Sequence, residues 1–128
     1  MSLLQDQIKK HLEDRGWQKY PPGDFAKSVS IEAAELLENF QWSNPTAQSV
    51  KKDAAKLREV SREASDVIIF AIELCVVLGV DYEQAALEKL ADAQKKYPVD
   101  KVKGGDLKNY WKIKHAHRQK KTGHEDLH

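Results

Sequence analysis

The chain has 128 residues, 41% hydrophobic and 32% charged, which is typical of one folded domain and excludes a disordered chain. Its net charge is only +1, but residues 99–128 hold eight Lys or Arg and four Asp or Glu, which leaves −3 for residues 1–98. A single cysteine excludes an internal disulfide and favours a cytoplasmic protein, while the N-terminus lacks a signal-peptide pattern and no apolar segment is long enough to span a membrane.

Hydrophobic residues recur at helical spacing, and no segment is a convincing strand, so the sequence predicts an all-α fold. In the first helix, Leu4, Ile8 and Leu12 lie four residues apart, and Gly16 is expected to end it. Asp24 is expected to cap the second helix after a proline-rich turn. The four predicted helices span residues 2–15, 25–40, 46 or 49 to 78, and 81–96.

The third predicted helix is the longest, about 45 Å at 1.5 Å per residue, and we expect a break near Lys56. Residues 67–80 are apolar on nearly all sides, a pattern typical of a helix that is buried on most of its surface. A four-helix domain of this size rarely buries one helix so fully, so we infer that this helix also faces a second subunit. Glu73 within it is expected to be an intersubunit or core ion-pair partner.

The end of the chain is polar and basic. We therefore divide the sequence into a helical domain at residues 1–104 and a basic C-terminal tail at residues 105–128. The tail either forms a short helix or is poorly ordered. Its cations suit the phosphates of a nucleotide or a nucleic acid, but they equally suit a solvated surface.

Two pairs of acidic residues each lie in a segment otherwise rich in Ala, Leu, Val and Ile. Glu32 and Glu35 form one pair, and Glu63 and Asp66 form the other. The i, i+3 spacing places both carboxylates of a pair on one side of a helix. Carboxylates near a core are costly unless something pairs with them, and four close together repel one another. If the two pairs face each other, they form the all-oxygen site that hard divalent cations prefer.

The residue types around this site favour Mg²⁺, with Mn²⁺ as a substitute. No His or Cys lies at ligand spacing near either pair, which disfavours zinc and a di-iron centre. Mg²⁺ held by carboxylates keeps positions open for water and substrate phosphates, which predicts phosphoryl or nucleotidyl chemistry. Glu38, one turn after Glu35, is a further ligand or a base that faces water. Alternatively, the acids belong to a purely structural oligomer and form ion pairs with Arg58, Arg62 and lysines.

The sequence resembles the MazG-like nucleotide pyrophosphohydrolases of the all-α NTP pyrophosphatase superfamily, in four blocks that follow in order over residues 12–104. The first block is SIEAAELLENFQW at residues 30–42, and the second is Glu63-x-x-Asp66 followed by VIIF. The blocks LGVD and KKYPVDKVKG precede and follow the last predicted helix. The Phe-Gln-Trp ending of the first block is most similar to the subgroup that includes dCTP pyrophosphatases.

The resemblance implies a four-helix MazG-like bundle that assembles as a tight homodimer or a dimer of dimers. It implies Mg²⁺-dependent hydrolysis of a nucleoside triphosphate, such as dCTP or a modified nucleotide, to the monophosphate and pyrophosphate. The implied metal ligands are Glu32, Glu35, Glu63 and Asp66, with Glu35 and Glu38 as catalytic residues. The implied substrate-binding residues, aromatic for the base and basic for the phosphates, are Trp17, Tyr20, Trp42, Lys96, Tyr97, Lys101 and Lys103.

The sequence leaves the preferred substrate open, and it allows one alternative function. Asp92 and Ala93 stand where relatives commonly have Lys-Asn, so the preferred base is not predicted. A non-catalytic helical module that binds nucleic acid through the basic tail is the alternative. The four carboxylates disfavour it, because a surface that binds phosphates is not expected to carry them.

Overall fold

The computed structural model describes residues 2–122, which form seven α-helices and no strand, so the predicted all-α class is confirmed. The last residues of the predicted tail, 123–128, lie outside the described residues. The helices are α1 (Leu3–Arg15), α2 (Pro22–Glu38), α3 (Ala47–Lys52), α4 (Ala54–Val77), α5 (Tyr82–Lys96), α6 (Val99–Val102) and α7 (Leu107–Thr122), with one 3₁₀ turn at Trp17–Lys19. Within residues 2–122, every helix is too short or too polar to cross a bilayer.

Helix α1 agrees with the first predicted helix. Ser2 caps it by accepting a hydrogen bond from the Gln5 amide at 3.1 Å, and Gly16 ends it in the left-handed conformation with a φ of 69°. The Gln5 side chain is buried and links α1 to the start of α5. Its Nε2 donates to the Val80 carbonyl at 2.8 Å, and its Oε1 accepts from the Tyr82 amide at 3.1 Å.

Helix α2 begins three residues earlier than predicted, and the expected cap at Asp24 is wrong. The helix starts at Pro22, whose fixed φ and missing N–H suit the first helical position. Asp24 lies in the first turn instead, where a carboxylate interacts favourably with the positive end of the helix dipole.

The long third helix that we predicted is divided into α3 and α4, close to the expected break at Lys56. Asp53 separates them and caps α4 by accepting a hydrogen bond from the Lys56 amide at 3.1 Å. The Lys56 ammonium group donates to the Asn39 carbonyl just beyond α2. This contact joins the end of α2 to the start of α4.

The chain forms two compact units, and the first one, which ends at Glu83, contains a small core in which α1 and α2 pack against α4. Its buried hydrophobic residues are Ile8, Leu12, Phe25 and Ile72. The first unit alone does not cover residues 67–80, because Ile68 is 53% exposed and Ile69 is 37% exposed in the single chain. This apolar face is available for a second subunit, and that contact stays a prediction.

The second unit begins at Gln84 and contains most of α5 together with α6 and α7. The tail is therefore helical over most of its length rather than poorly ordered. The Tyr97 ring stacks on Tyr110 with centroids 4.9 Å apart, and Trp111 meets Tyr110 edge-on at 5.2 Å. The predicted domain boundary after residue 104 falls inside this unit, and that division of domains stays a prediction.

Candidate active site

Acidic side chains from α2 and α4 converge in the first unit. Carboxylate oxygens of Glu32, Glu63 and Asp66 all lie within 4.8 Å of one another. Glu35 lies one turn after Glu32, and its carboxyl group acts on the pKa of both Glu32 and Glu63. The structure thus brings the two predicted pairs together, because α2 packs along α4 with the acidic positions facing each other.

Mutual proximity dominates the electrostatics of this acidic cluster, which we define as Glu32, Glu35, Glu63 and Asp66. A hydrogen bond with the Glu35 carboxyl, followed by partial burial and the neighbouring charges, raises the pKa of Glu32 above the usual glutamate value. Burial, followed by the charges of Glu35 and Asp66, raises the pKa of Glu63. Glu38 at the end of α2 adds a smaller effect on Glu63. A proton or a cation bound here relieves the repulsion.

The acidic cluster fits a hard divalent cation. The Oε2 atom of Glu32 is shielded from solvent, yet it has no hydrogen-bond partner within residues 2–122. In the same part of the chain, no Lys or Arg forms an ion pair with the four acids. The donors are all carboxylate oxygens, which suits Mg²⁺, Ca²⁺ or Mn²⁺ better than zinc. The counter-charge that the cluster needs is therefore not supplied by the described side chains.

A cavity of about 380 Å³ adjoins the acidic cluster through Asp66. We call it the aromatic cavity, because Trp17, Tyr20, Phe25 and Phe70 form much of its wall. Its size lies in the range of about 300–1,000 Å³ that small-molecule pockets occupy. The cavity can therefore hold a planar ring system beside the acids.

The cavity wall also contains residues that the sequence did not single out, namely His11, Phe25 and Phe70. The His11 ring meets Trp17 edge-on, with centroids 5.6 Å apart. Phe70 lies four residues after Asp66, so helical spacing from a candidate ligand is the signal that could have identified it. His11 and Phe25 had no comparable signal, because their place in the wall depends on how α1 and α2 pack.

Glu73 is also part of the cavity wall. It is 4% exposed, and burial raises its pKa. Its Oε2 atom has no hydrogen-bond partner within residues 2–122, so the predicted core ion pair is wrong, and the intersubunit ion pair stays a prediction. The sequence placed Glu73 near the face of Asp66 through the i+7 spacing, but not in a cavity.

A second groove, of about 280 Å³, also includes Asp66. Its other lining residues on α4 are Arg58, Ser61, Arg62 and Ser65. Arg58, Arg62 and Asp66 recur every four residues and therefore share one face of the helix. Asp66 is thus common to the acidic cluster, the aromatic cavity and this arginine groove.

The other residues predicted from the sequence lie elsewhere. Trp42 follows α2, is 89% exposed and is not part of the cavity wall. Tyr97 and three lysines belong to the second unit, where Lys96 Nζ lies 5.1 Å from the Tyr97 ring centroid. The substrate-binding roles of Trp42, Lys96, Tyr97, Lys101 and Lys103 stay predictions.

Comparison with known proteins agrees with these observations. A family model described as the MazG-like family matches residues 27–112, which include the acidic cluster and reach into α7. This chain belongs to the MazG-like family. The predicted membership is confirmed, and the matched region extends beyond the end of the resemblance at residue 104.

Curated relatives of this MazG-like chain include dCTP pyrophosphatase 1 from three mammals. The Mus musculus protein is 31% identical over 113 residues and the Bos taurus protein 31% over 114, which cover 82% of this chain and 65% of each relative. The Homo sapiens protein is 28% identical over 122 residues, which cover 88% of this chain and 69% of that protein. The chain thus spans 65% of the length of the first two relatives.

A solved structure is also similar to this MazG-like chain. It is the crystal structure of a pyrophosphatase from Archaeoglobus fulgidus DSM 4304, with a TM-score of 0.62 and 36% sequence identity. The match covers 73% of this chain and 87% of that one. The similarity supports the all-α MazG-like fold.

Proposed function

We propose that this protein is a Mg²⁺-dependent nucleoside triphosphate pyrophosphohydrolase, which converts a deoxynucleoside triphosphate to its monophosphate and pyrophosphate. The observation that carries the proposal is that carboxylates of Glu32, Glu63 and Asp66 converge within 4.8 Å beside the aromatic cavity, which shares Asp66. The names of the mammalian relatives make dCTP the first substrate to test. Cys75 is a free thiol, which suits a reducing cytoplasm.

The acidic cluster would hold the metal, with Mn²⁺ as a substitute for Mg²⁺. The oxygen-only donor set and the unpartnered Glu32 Oε2 support this assignment. When bound, the ion lowers the pKa of a water molecule and neutralises charge on the phosphate chain. Glu35 and Glu38 are the candidates for the proton acceptor, because Glu35 belongs to the cluster, Glu38 adjoins it and both are exposed to water.

In the proposed reaction, water attacks the α-phosphorus. The bond from that phosphorus to the bridging oxygen breaks, and pyrophosphate leaves with the bonding electrons. The proton of the attacking water passes to a carboxylate oxygen of Glu35 or Glu38. The products are the nucleoside monophosphate and pyrophosphate, which account for all atoms of the triphosphate and the water.

We assign the aromatic cavity to the base and the arginine groove to the phosphate chain. Trp17 and Tyr20 are partly exposed at the cavity and offer ring surfaces on which a base can stack. Arg58 and Arg62 share the groove with Asp66, and guanidinium groups bind phosphate oxygens with paired hydrogen bonds. A nucleotide that occupies both would pass Asp66, next to the acidic cluster.

We propose that the active form is a homodimer or a dimer of dimers. Large apolar side chains of α2 and α4, including Ile31, Leu37 and Ile68, are exposed in the single chain. A second subunit that covers them would remove this apolar surface from water. Light scattering is expected to give the mass of two or four chains. A monomer at micromolar concentration would contradict this.

The reaction is tested with dCTP, Mg²⁺ and ¹⁸O-labelled water. We expect pyrophosphate rather than orthophosphate, with the label in dCMP because the attack falls on the α-phosphorus. Glu13→Gln changes an exposed acid on α1 away from the cluster, so it is the control for variants of the cluster acids and should behave as wild type. Release of orthophosphate, or no Mg²⁺-dependent turnover of any natural nucleoside triphosphate, would refute the proposed function.

A further inference from the structure

The wall of the aromatic cavity contains two carboxyl groups outside the acidic cluster, Asp24 in the exposed first turn of α2 and Glu73 on α4, and only Glu73 is buried. It follows Asp66 by two helical turns and is almost completely buried. Its Oε2 atom has no hydrogen-bond partner within residues 2–122, although Glu73 lines the same cavity as Trp17 and Phe70. A buried polar oxygen without a partner is costly, so a ligand that donates a hydrogen bond to it binds more tightly than one that does not.

We propose that Glu73 is a specificity-determining residue that accepts a hydrogen bond from an exocyclic amino group of the base. The inference rests on the proposed function, and it deepens that function by naming the substrate class. The cavity would favour a pyrimidine nucleotide with a 4-amino group, cytosine, over one with a 4-oxo group, uracil or thymine.

The preference follows from the donors and acceptors at this edge of the base. An amino group can donate to Glu73 whether the carboxyl is ionised or neutral, because an acceptor oxygen is present in both forms. A 4-oxo group is itself an acceptor, so it is satisfied only when Glu73 is neutral and carries its proton on the facing oxygen. The burial that raises the pKa of Glu73 makes the neutral form accessible, but it does not remove this asymmetry.

The alternative is that a cation from a partner subunit forms an ion pair with Glu73. In that case Glu73 does not contact the base. The two explanations differ in what they change. A residue that contacts the base alters the ratio of activities towards two substrates, whereas a residue that pairs with a partner subunit alters assembly and affects both substrates equally.

The test compares kcat/KM for dCTP and dUTP, which differ in the 4-amino or 4-oxo group and in the proton that uracil carries on N3. Wild type is expected to prefer dCTP by at least about tenfold, the worth of one hydrogen bond of about 1.4 kcal/mol. Glu73→Met is expected to lose most of the kcat/KM for dCTP, with kcat/KM for dUTP unchanged. Glu73→Gln is expected to keep kcat/KM for dCTP within about threefold of wild type. Its kcat/KM for dUTP is expected to rise, because the amide NH₂ can donate to the 4-oxo group. Glu13→Met, on the exposed face of α1, is the matched control.

A binding measurement separates this inference from the proposed function. Tryptophan fluorescence or calorimetry with dCMP and dUMP, without metal, reports the base contact alone. Failure to hydrolyse any triphosphate, together with a dCMP preference that Glu73→Gln and Glu73→Met abolish, would refute the function and retain the inference. Hydrolysis of dCTP with an unchanged dCTP:dUTP ratio in both variants would overturn the inference and retain the function. A lower oligomer mass in Glu73→Met with that unchanged ratio would assign Glu73 to the subunit contact.

Discussion

The middle and the C-terminal part of α4 place carboxyl groups in different surroundings. In the middle, Glu63 and Asp66 face the acids of α2, and no cation of residues 2–122 pairs with them. In the C-terminal part, Glu73 is buried in an aromatic wall, and burial alone raises its pKa. The same chemical group is thus suited to binding a cation in the middle of the helix and to a directional hydrogen bond near its end. The surroundings of an acid decide its chemistry more than its residue type does.

Removal of an acid from the cluster should have the largest effect. Changes in groups that only support a metal ligand cost about 10–100-fold, so we expect Asp66→Asn to lower kcat/KM with dCTP by at least about 10²-fold. The metal-free variant should melt no lower than wild type, because one of several mutually repelling charges is gone. Steady-state kinetics and circular dichroism check both statements. Activity within threefold of wild type would show that Asp66 is not part of the active site.

Metal binding should stabilise the protein through the acidic cluster and not through Glu73. Mg²⁺ at a hundred times its dissociation constant is expected to raise the free energy of unfolding by about 2.7 kcal/mol. Glu63→Gln should lose most of this gain, whereas Glu73→Gln should keep it. Urea titrations with and without Mg²⁺ measure the difference. An equal gain in wild type and Glu63→Gln would place the ion elsewhere.

The aromatic cavity should contribute to substrate binding more than to the chemical step. Stacking of a base on an aromatic ring is worth about 1–3 kcal/mol, so Trp17→Ala should raise KM by about 5–150-fold with a smaller change in kcat. Trp111→Ala, on α7 of the second unit, is the matched control for the loss of an exposed indole. Equal KM values for the two variants would argue against a base in this cavity.

The smallest expected effect is on the pH dependence of stability, which should differ between wild type and a Glu73 variant. Because burial raises the pKa of Glu73, the folded protein keeps this proton at pH values where the unfolded chain has lost it. The contribution to stability is present at low pH and is lost as pH rises through the raised pKa. Without metal, the free energy of unfolding should therefore fall more steeply for wild type than for Glu73→Gln as pH rises above 4.5. Parallel curves would show that Glu73 is not buried as described.

Local spacing made the acidic cluster predictable from the sequence. Glu32 with Glu35, and Glu63 with Asp66, are each fixed on one face by helical periodicity, and the apolar residues around them indicated helices that pack together. The stop at Gly16 and the break near Lys56 were also predictable, because caps and turns are local features.

The cavity wall was not predictable in the same way. The places of His11 and Phe25 depend on how α1 and α2 approach α4, which is a property of the packed core. The burial of residues 67–80 by a second subunit stays a prediction for a related reason, because an apolar helix face shows only that something covers it, not which chain does so. The helix cap was wrongly assigned to Asp24. Helix α2 already begins at Pro22, whose fixed φ suits the first helical position.

The most direct test is a crystal structure with Mn²⁺ and a non-hydrolysable dCTP analogue, with the ion located by anomalous scattering. We expect a Mn²⁺ peak at about 2.1 Å from carboxylate oxygens of Glu63 and Asp66, with the base in the cavity against Trp17. A bound analogue without any metal peak at these acids, or a metal held by residues outside the acidic cluster, would contradict this expectation.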